Sequence, residues 1–202
     1  MPRWCSRWTC SASEPAGRRP MDDAPVEIVP PDPRWPALFA DERDAIATAL
    51  APWLVGVPEH IGSTAVPGLA AKPVIDIMAP VASLHAAQPA IAAAAALQYL
   101  HAPYQADVMH WFCKPTPQHR THHLHLVPIN SPLWHDRLAF RDALRRDPAL
   151  RDAYAALKQA LAATHRHDRD GYTAAKGPFI TQVLGQVAAS ARLPMPPTGG
   201  AG

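Results

Sequence analysis

Hydrophobic positions change their period along this chain, and each change predicts an element. Residues 26–29 alternate and run into Pro30, Pro31 and Pro33, which predicts a short strand followed by a turn. Leu38, Phe39, Ile46, Leu50 and Leu54 then recur at helical spacing, predicting a helix over 35–53 with Asp32 as its cap and Pro33 at its first position. Two strands are expected over 58–61 and 73–78, separated by a polar turn, and a helix over 83–97 with Ser83 at its start. Residues 99–104 and 108–114 predict two more strands around Gln105-Ala106-Asp107.

Residues 122–127 form a strand pattern at period two. His122, Leu124 and Leu126 fall on one face, and His123, His125 and Val127 on the other. Ser131-Pro132 and Asp147-Pro148 then open helices through about Arg146 and His165; Asp170-Gly171-Tyr172 turns the chain; and a last helix is expected over 176–191. Strands in the first two thirds and helices in the last third predict an α+β fold.

Composition narrows the class. The 202 residues are 48% hydrophobic and 18% charged, enough for one medium domain with a core, expected over 21–191. Residues 1–20 carry Arg, Ser and Trp but no apolar h-region, so they are expected to be a disordered or spurious extension; 192–202 are expected to be a disordered tail. A net charge of +2 gives no electrostatic footprint for nucleic acid, and the longest apolar run is too short for a membrane span. Three cysteines without metal or disulfide spacing point to a reducing, cytoplasmic setting.

Candidate chemistry concentrates in one stretch, EHIGSTAVPGLAAKPVIDI, residues 59–77. The Gly62-Ser63-Thr64 turn follows a strand, where backbone N–H groups and hydroxyls can cradle phosphate oxygens. It is neither a Walker A loop nor G-x-G-x-x-G. Asp76 is a single carboxylate among apolar neighbours on the next strand, and an acid buried there needs a partner, a ligand or a function. It can ligate a metal, or it can simply accept hydrogen bonds from the turn. His123 and His125 face one way on their strand and can converge on a metal, act as acid or base, or pair within the sheet. Lys72, Lys114, Arg120 and Lys176 are candidates to balance anionic substrate oxygens. The mixed charges over 137–151 are most simply a solvated helix face.

The 59–77 stretch, followed by HHLHL, by LAFRDALRRDPALRDAYAALKQALA and by YTAAKGPFI, closely resembles the GrpB family, as does VEIVPPDPRWPALFADER near the start. The resemblance spans about 26–187. It implies a nucleotidyltransferase-like fold: a small mixed β-sheet, flanking helices, a glycine-serine turn and strand-borne acids that hold metal. It also implies occasional fusion to a kinase of coenzyme A biosynthesis. On this chain the turn is Gly62-Ser63 and the first acid is Asp76, but the usual second acid is replaced by Met78, and His123 and His125 stand where a third acid is expected.

Three functions follow as expectations. The first is metal-dependent nucleotidyl transfer from a nucleoside triphosphate to a small acceptor. Asp76, His123 and His125 are then the catalytic and metal-binding residues, for Mg, Mn or Zn. Gly62, Ser63, Thr64, Lys72, Lys114, Arg120 and Lys176 bind phosphate and substrate. The second is a non-catalytic accessory module that binds a nucleotide or another small anionic ligand. The third is a single-metal Asp-His-His enzyme of another class.

Overall fold

Alternation on the strands decides the architecture, because it gives the sheet two apolar faces and both need cover. The computed structural model describes residues 24–190. The expectations for 1–20 and 192–202 lie outside the described residues. The elements run α1 (Trp35–Ala49), β1 (Glu59–Ile61), β2 (Ile75–Val81), α2 (Ala90–Ala95), β3 (Leu100–Ala102), β4 (His110–Pro115), β5 (Arg120–Pro128), α3 (Pro132–Arg146), α4 (Pro148–Thr164), α5 (Arg169–Ala175) and α6 (Gly177–Ser190). The sheet order is β1-β2-β5-β4-β3. β2 and β5 run parallel at its centre, and the other neighbours are antiparallel. The expected α+β class is the observed one.

The central strands divide their residues between two cores. Ile75, Ile77, Ala79 and Val81 of β2, with Leu124 and Leu126 of β5, pack against Trp35, Ile46 and Leu50 on one face. Ala87, Ala90 and Ala94 close the same face, their small side chains letting the backbone come near the sheet. On the other face Ile61, Met78, Trp111, Cys113 and Val127 meet Trp134 of α3, with Leu133 and Leu138 beside it. A third cluster joins Val66 and Leu69 to Leu144 and Tyr154, tying the segment after the polar turn to α3 and α4. Each fully buried Leu or Ile contributes about 1.5–3 kcal/mol of transfer free energy.

Two helix starts behave as the sequence predicts. Ser131 Oγ accepts from Trp134 N at 3.3 Å, and Asp147 Oδ1 accepts from Leu150 N at 3.0 Å. Four expectations are corrected. Residues 26–29 form no strand; Val29 makes a single bridge to Ala71, and the following prolines carry no N–H to extend it. Arg34 rather than Asp32 stands at the α1 cap, Asp32 accepting from Arg34 N at 2.8 Å. The helix expected over 83–97 shrinks to Ala90–Ala95, because Pro89 inside that span can only stand at a helix start. Asp170-Gly171-Tyr172 lies within α5, whose cap is Asp168, its Oδ1 accepting from Gly171 N at 2.8 Å. Among the described residues no helix is long and apolar enough to cross a membrane.

Candidate functional site

Asp76 and His123 are direct partners across the parallel β2–β5 pair, so their side chains leave the same face of the sheet. His125 is two residues on and shares that face. His123 Nδ1 donates to Asp76 Oδ1 at 2.8 Å, and His125 Nε2 stands 3.8 Å from the same oxygen. One ligand atom from each of the three residues lies within 4.8 Å of the others. The sequence-predicted cluster is therefore assembled.

Burial raises the Asp76 carboxyl, but its contacts with His123 and His125 outweigh this and hold it well below the usual carboxylate range. His125 is pushed down to about 3, chiefly by burial, with Arg137 adding to the effect, so its imidazole is neutral at physiological pH. The His125 Nδ1 lies 3.3 Å from the Met109 thioether. The Nε2 atoms of both His123 and His125 are buried without a hydrogen-bond partner. Two buried imidazole nitrogens without partners beside a carboxylate are a set of donor atoms that could hold a cation such as Zn, Mn or Fe.

Gly62 sits against this cluster. Its φ of +70° belongs to glycine, and a Cβ there would overlap Asp76 Oδ2. The polar turn thus lies directly on the acid, as its sequence spacing implied. Ser63 adjoins the Tyr154 hydroxyl, which burial raises. Lys176, with its Nζ 4.3 Å from the Tyr172 ring centre, lies within electrostatic reach of both Asp76 and Lys72; burial lowers it to about 8. Arg120 reaches the rim through Trp111: its guanidinium lies 5.0 Å above the indole, which is 5.1 Å from the His123 ring.

Two predicted substrate-binding residues are placed elsewhere. Lys114 pairs with His122 in the register and so faces away from His123; its Nζ is held by Glu42 of α1 at 2.6 Å. Thr64 is buried, 3.0 Å from His60 Nε2, and its hydroxyl donates to Val74 O at 3.0 Å, so its polar capacity is spent inside the fold.

The structure also adds five residues. Arg137, Arg141 and Arg145 recur every four positions along α3; Arg137 and Arg141 are half-buried, against the expected solvated face, whereas Arg145, Arg146 and Asp147 are exposed as expected. Arg141 donates to Glu59 and to His60 O, and Arg145 to Ala65 O. Arg137 lies close enough to Asp76 and His125 to act on both electrostatically. That four-residue repeat was the available signal. Tyr154 and Lys158, one turn apart on α4, are the other two. Lys158 is only 2% exposed, donates to Ala70 O and lies 5.0 Å from the Tyr154 ring centre. Burial, aided by Lys176, lowers its amine to about 7. The unfolded chain therefore holds a proton on Lys158 between pH 7 and 10.5 that the native chain lacks, and stability rises with pH across that window. Denaturation of the native chain and of Lys158→Met at pH 7 and 9 should show the native chain gaining about 1 kcal/mol per pH unit relative to the variant.

Comparison with known proteins agrees with the fold and the motif. The family model described as GrpB protein matches residues 25–186. The chain belongs to the GrpB family. This GrpB chain is 41% identical over 179 residues to a UPF0157 protein of Pseudomonas aeruginosa, covering 86% of this chain and 72% of that one. It is 38% identical over 175 residues to a UPF0157 protein of Deinococcus radiodurans, covering 86% and 89%. The crystal structure of conserved protein GrpB from Enterococcus faecalis superposes with a TM-score of 0.73 at 29% identity, covering 82% of this chain and 99% of that one.

Proposed function

We propose that this GrpB protein is a metal-dependent enzyme that transfers a nucleotidyl group from a nucleoside triphosphate to a small acceptor. The observation that carries the reading is the pair of partnerless imidazole nitrogens of His123 and His125 beside Asp76, under the Gly62-Ser63 turn. Asp76, His123 and His125 would hold one divalent ion, which supplies Lewis-acid polarisation of a phosphoryl oxygen. Gly62 lets the backbone approach closely, Ser63 offers a hydroxyl, and Lys72 and Lys176 offset phosphate charge. The acceptor oxygen bonds to the α-phosphorus while the bond to the bridging oxygen breaks. Pyrophosphate leaves with that electron pair, and the acceptor proton passes to solvent.

A second reading, a single-metal enzyme of another class acting on a phosphate-bearing substrate, is favoured by one feature. Met78, fully buried, occupies the place of a second acid, and Glu59 opposite it on β1 is bound to Arg141 at 2.7 Å. Two-metal phosphoryl transfer has no second carboxylate to use here. Calorimetric titration with ATP, CTP and GTP, with and without Mn²⁺, separates the two readings. The first predicts Mn²⁺-dependent binding of at least one nucleotide. A chain that binds Mn²⁺ but no nucleotide supports the second, and a chain that binds neither sinks both.

A further inference from the structure

We propose that Arg137 anchors a phosphoryl group of the ligand at the Asp76 site, so that one phosphate touches both the bound ion and the guanidinium. The proposal rests on the metal reading above and names the residue that completes it. Arg137 makes no hydrogen bond or ion pair with any described residue, and its Nε is buried without a partner. The two arginines that follow it on α3 both have acceptors within the fold. Arg141 is held by Glu59, Asp142 and the His60 carbonyl, and Arg145 by the Ala65 carbonyl. The repeat is therefore structural at two positions and unsatisfied at the third, and the third is the one beside the metal cluster.

The groups around Arg137 leave its Nε–H without an acceptor. Burial opposes its charge; the groups that favour it are the Asp76 carboxylate and Tyr104. Asp76 is already shared between two imidazoles. A buried Nε–H without an acceptor is a cost to the fold that an oxyanion placed against it removes. Three of the five buried partnerless polar atoms of the described chain, on Arg137, His123 and His125, belong to this one cluster. The imidazole nitrogens call for a cation and the guanidinium for an oxyanion, and one metal-bound oxyanion satisfies both. Lys176 and the ion itself add further positive charge, which favours a multiply charged phosphate over a single carboxylate. Arg137 as a whole is only half-buried, so a ligand can reach the fork.

The test uses the full chain, Arg137→Met and Arg137→Lys, with Mn²⁺ followed by electron paramagnetic resonance and tripolyphosphate by calorimetry. Expected for Arg137→Met is an Mn²⁺ affinity equal to or tighter than that of the native chain, because a nearby positive charge is gone. Its melting temperature should be equal or higher, because a buried N–H without an acceptor is removed. Tripolyphosphate affinity in saturating Mn²⁺ should fall about tenfold or more, the scale of a charge-assisted hydrogen bond. Arg137→Lys should recover part of that loss. Tripolyphosphate affinity within twofold of native in Arg137→Met overturns the proposal, as does a native chain that binds no tripolyphosphate. Malonate binding as tightly as tripolyphosphate, with the same dependence on Arg137, overturns the phosphoryl assignment. If the native chain binds no Mn²⁺, the metal reading fails on its own. Arg137 is then judged by the metal-free tripolyphosphate titration, where the same loss is expected.

Discussion

A Gly62→Ala chain should melt on the order of 10 °C below the native one. Gly62 has φ +70° and ψ −169°, a region essentially reserved for glycine, and holding alanine there costs about 1–3 kcal/mol. The added methyl would also overlap Asp76 Oδ2 and lie 3.1 Å from the carboxylate's Cβ and Cγ, an overpacking that costs about 1–3 kcal/mol more. For a chain of this size each kcal/mol shifts the melting temperature by about 2–4 °C. The two costs separate in a double-mutant cycle. Gly62→Ala in an Asp76→Ala background keeps the backbone strain but loses the clash, so a coupling of about 1 kcal/mol or more is expected between the two sites. Additive effects in thermal denaturation would mean that the turn does not rest on the acid.

Asp76→Ala should lower Mn²⁺ affinity by at least about 100-fold, since removing even an outer-sphere partner of a metal ligand costs 10–100-fold. Asp76 is also the only anionic member of the cluster. In the native chain, Mn²⁺ at one hundred times its dissociation constant should add about 2.7 kcal/mol of stability, a shift of several degrees. The variant should show no shift under the same conditions. The pH dependence has a definite sign. Because the Asp76 carboxyl is held below its ordinary range in the native state, its charge contributes stability that is present above about pH 4 and lost as the pH falls further. Metal-free Asp76→Ala should therefore unfold less steeply in acid than the native chain. An unchanged metal response or an unchanged acid limb would each remove Asp76 from the role assigned to it.

Much of this was legible in the sequence because it follows from local period. The two faces of β5 separate as predicted, Leu124 and Leu126 joining one core and Val127 the other, which is what delivers His123 and His125 to a common side. The Ser131 and Asp147 caps are local chemistry too. What escaped depends on partners far apart in sequence. Lys114 looks like any strand-end cation until Glu42, 72 residues earlier, is placed beside it. Thr64 looks like a phosphate ligand until His60 and the Val74 carbonyl take its hydroxyl. The charges on α3 looked solvated because a charged residue is usually exposed; that one edge of the helix faces the sheet is a property of the packing. The helix expected over 83–97 failed for a local reason: Pro89 outweighed the alanine run.

In the proposed site Asp76, His123 and His125 hold one metal ion. Crystals of the full chain grown with Mn²⁺, with data collected above and below the manganese edge, test it most directly. A single anomalous peak bonded to all three side chains, absent in Asp76→Ala, is expected. No peak, or a peak elsewhere with His123 still bonded to Asp76, would contradict it.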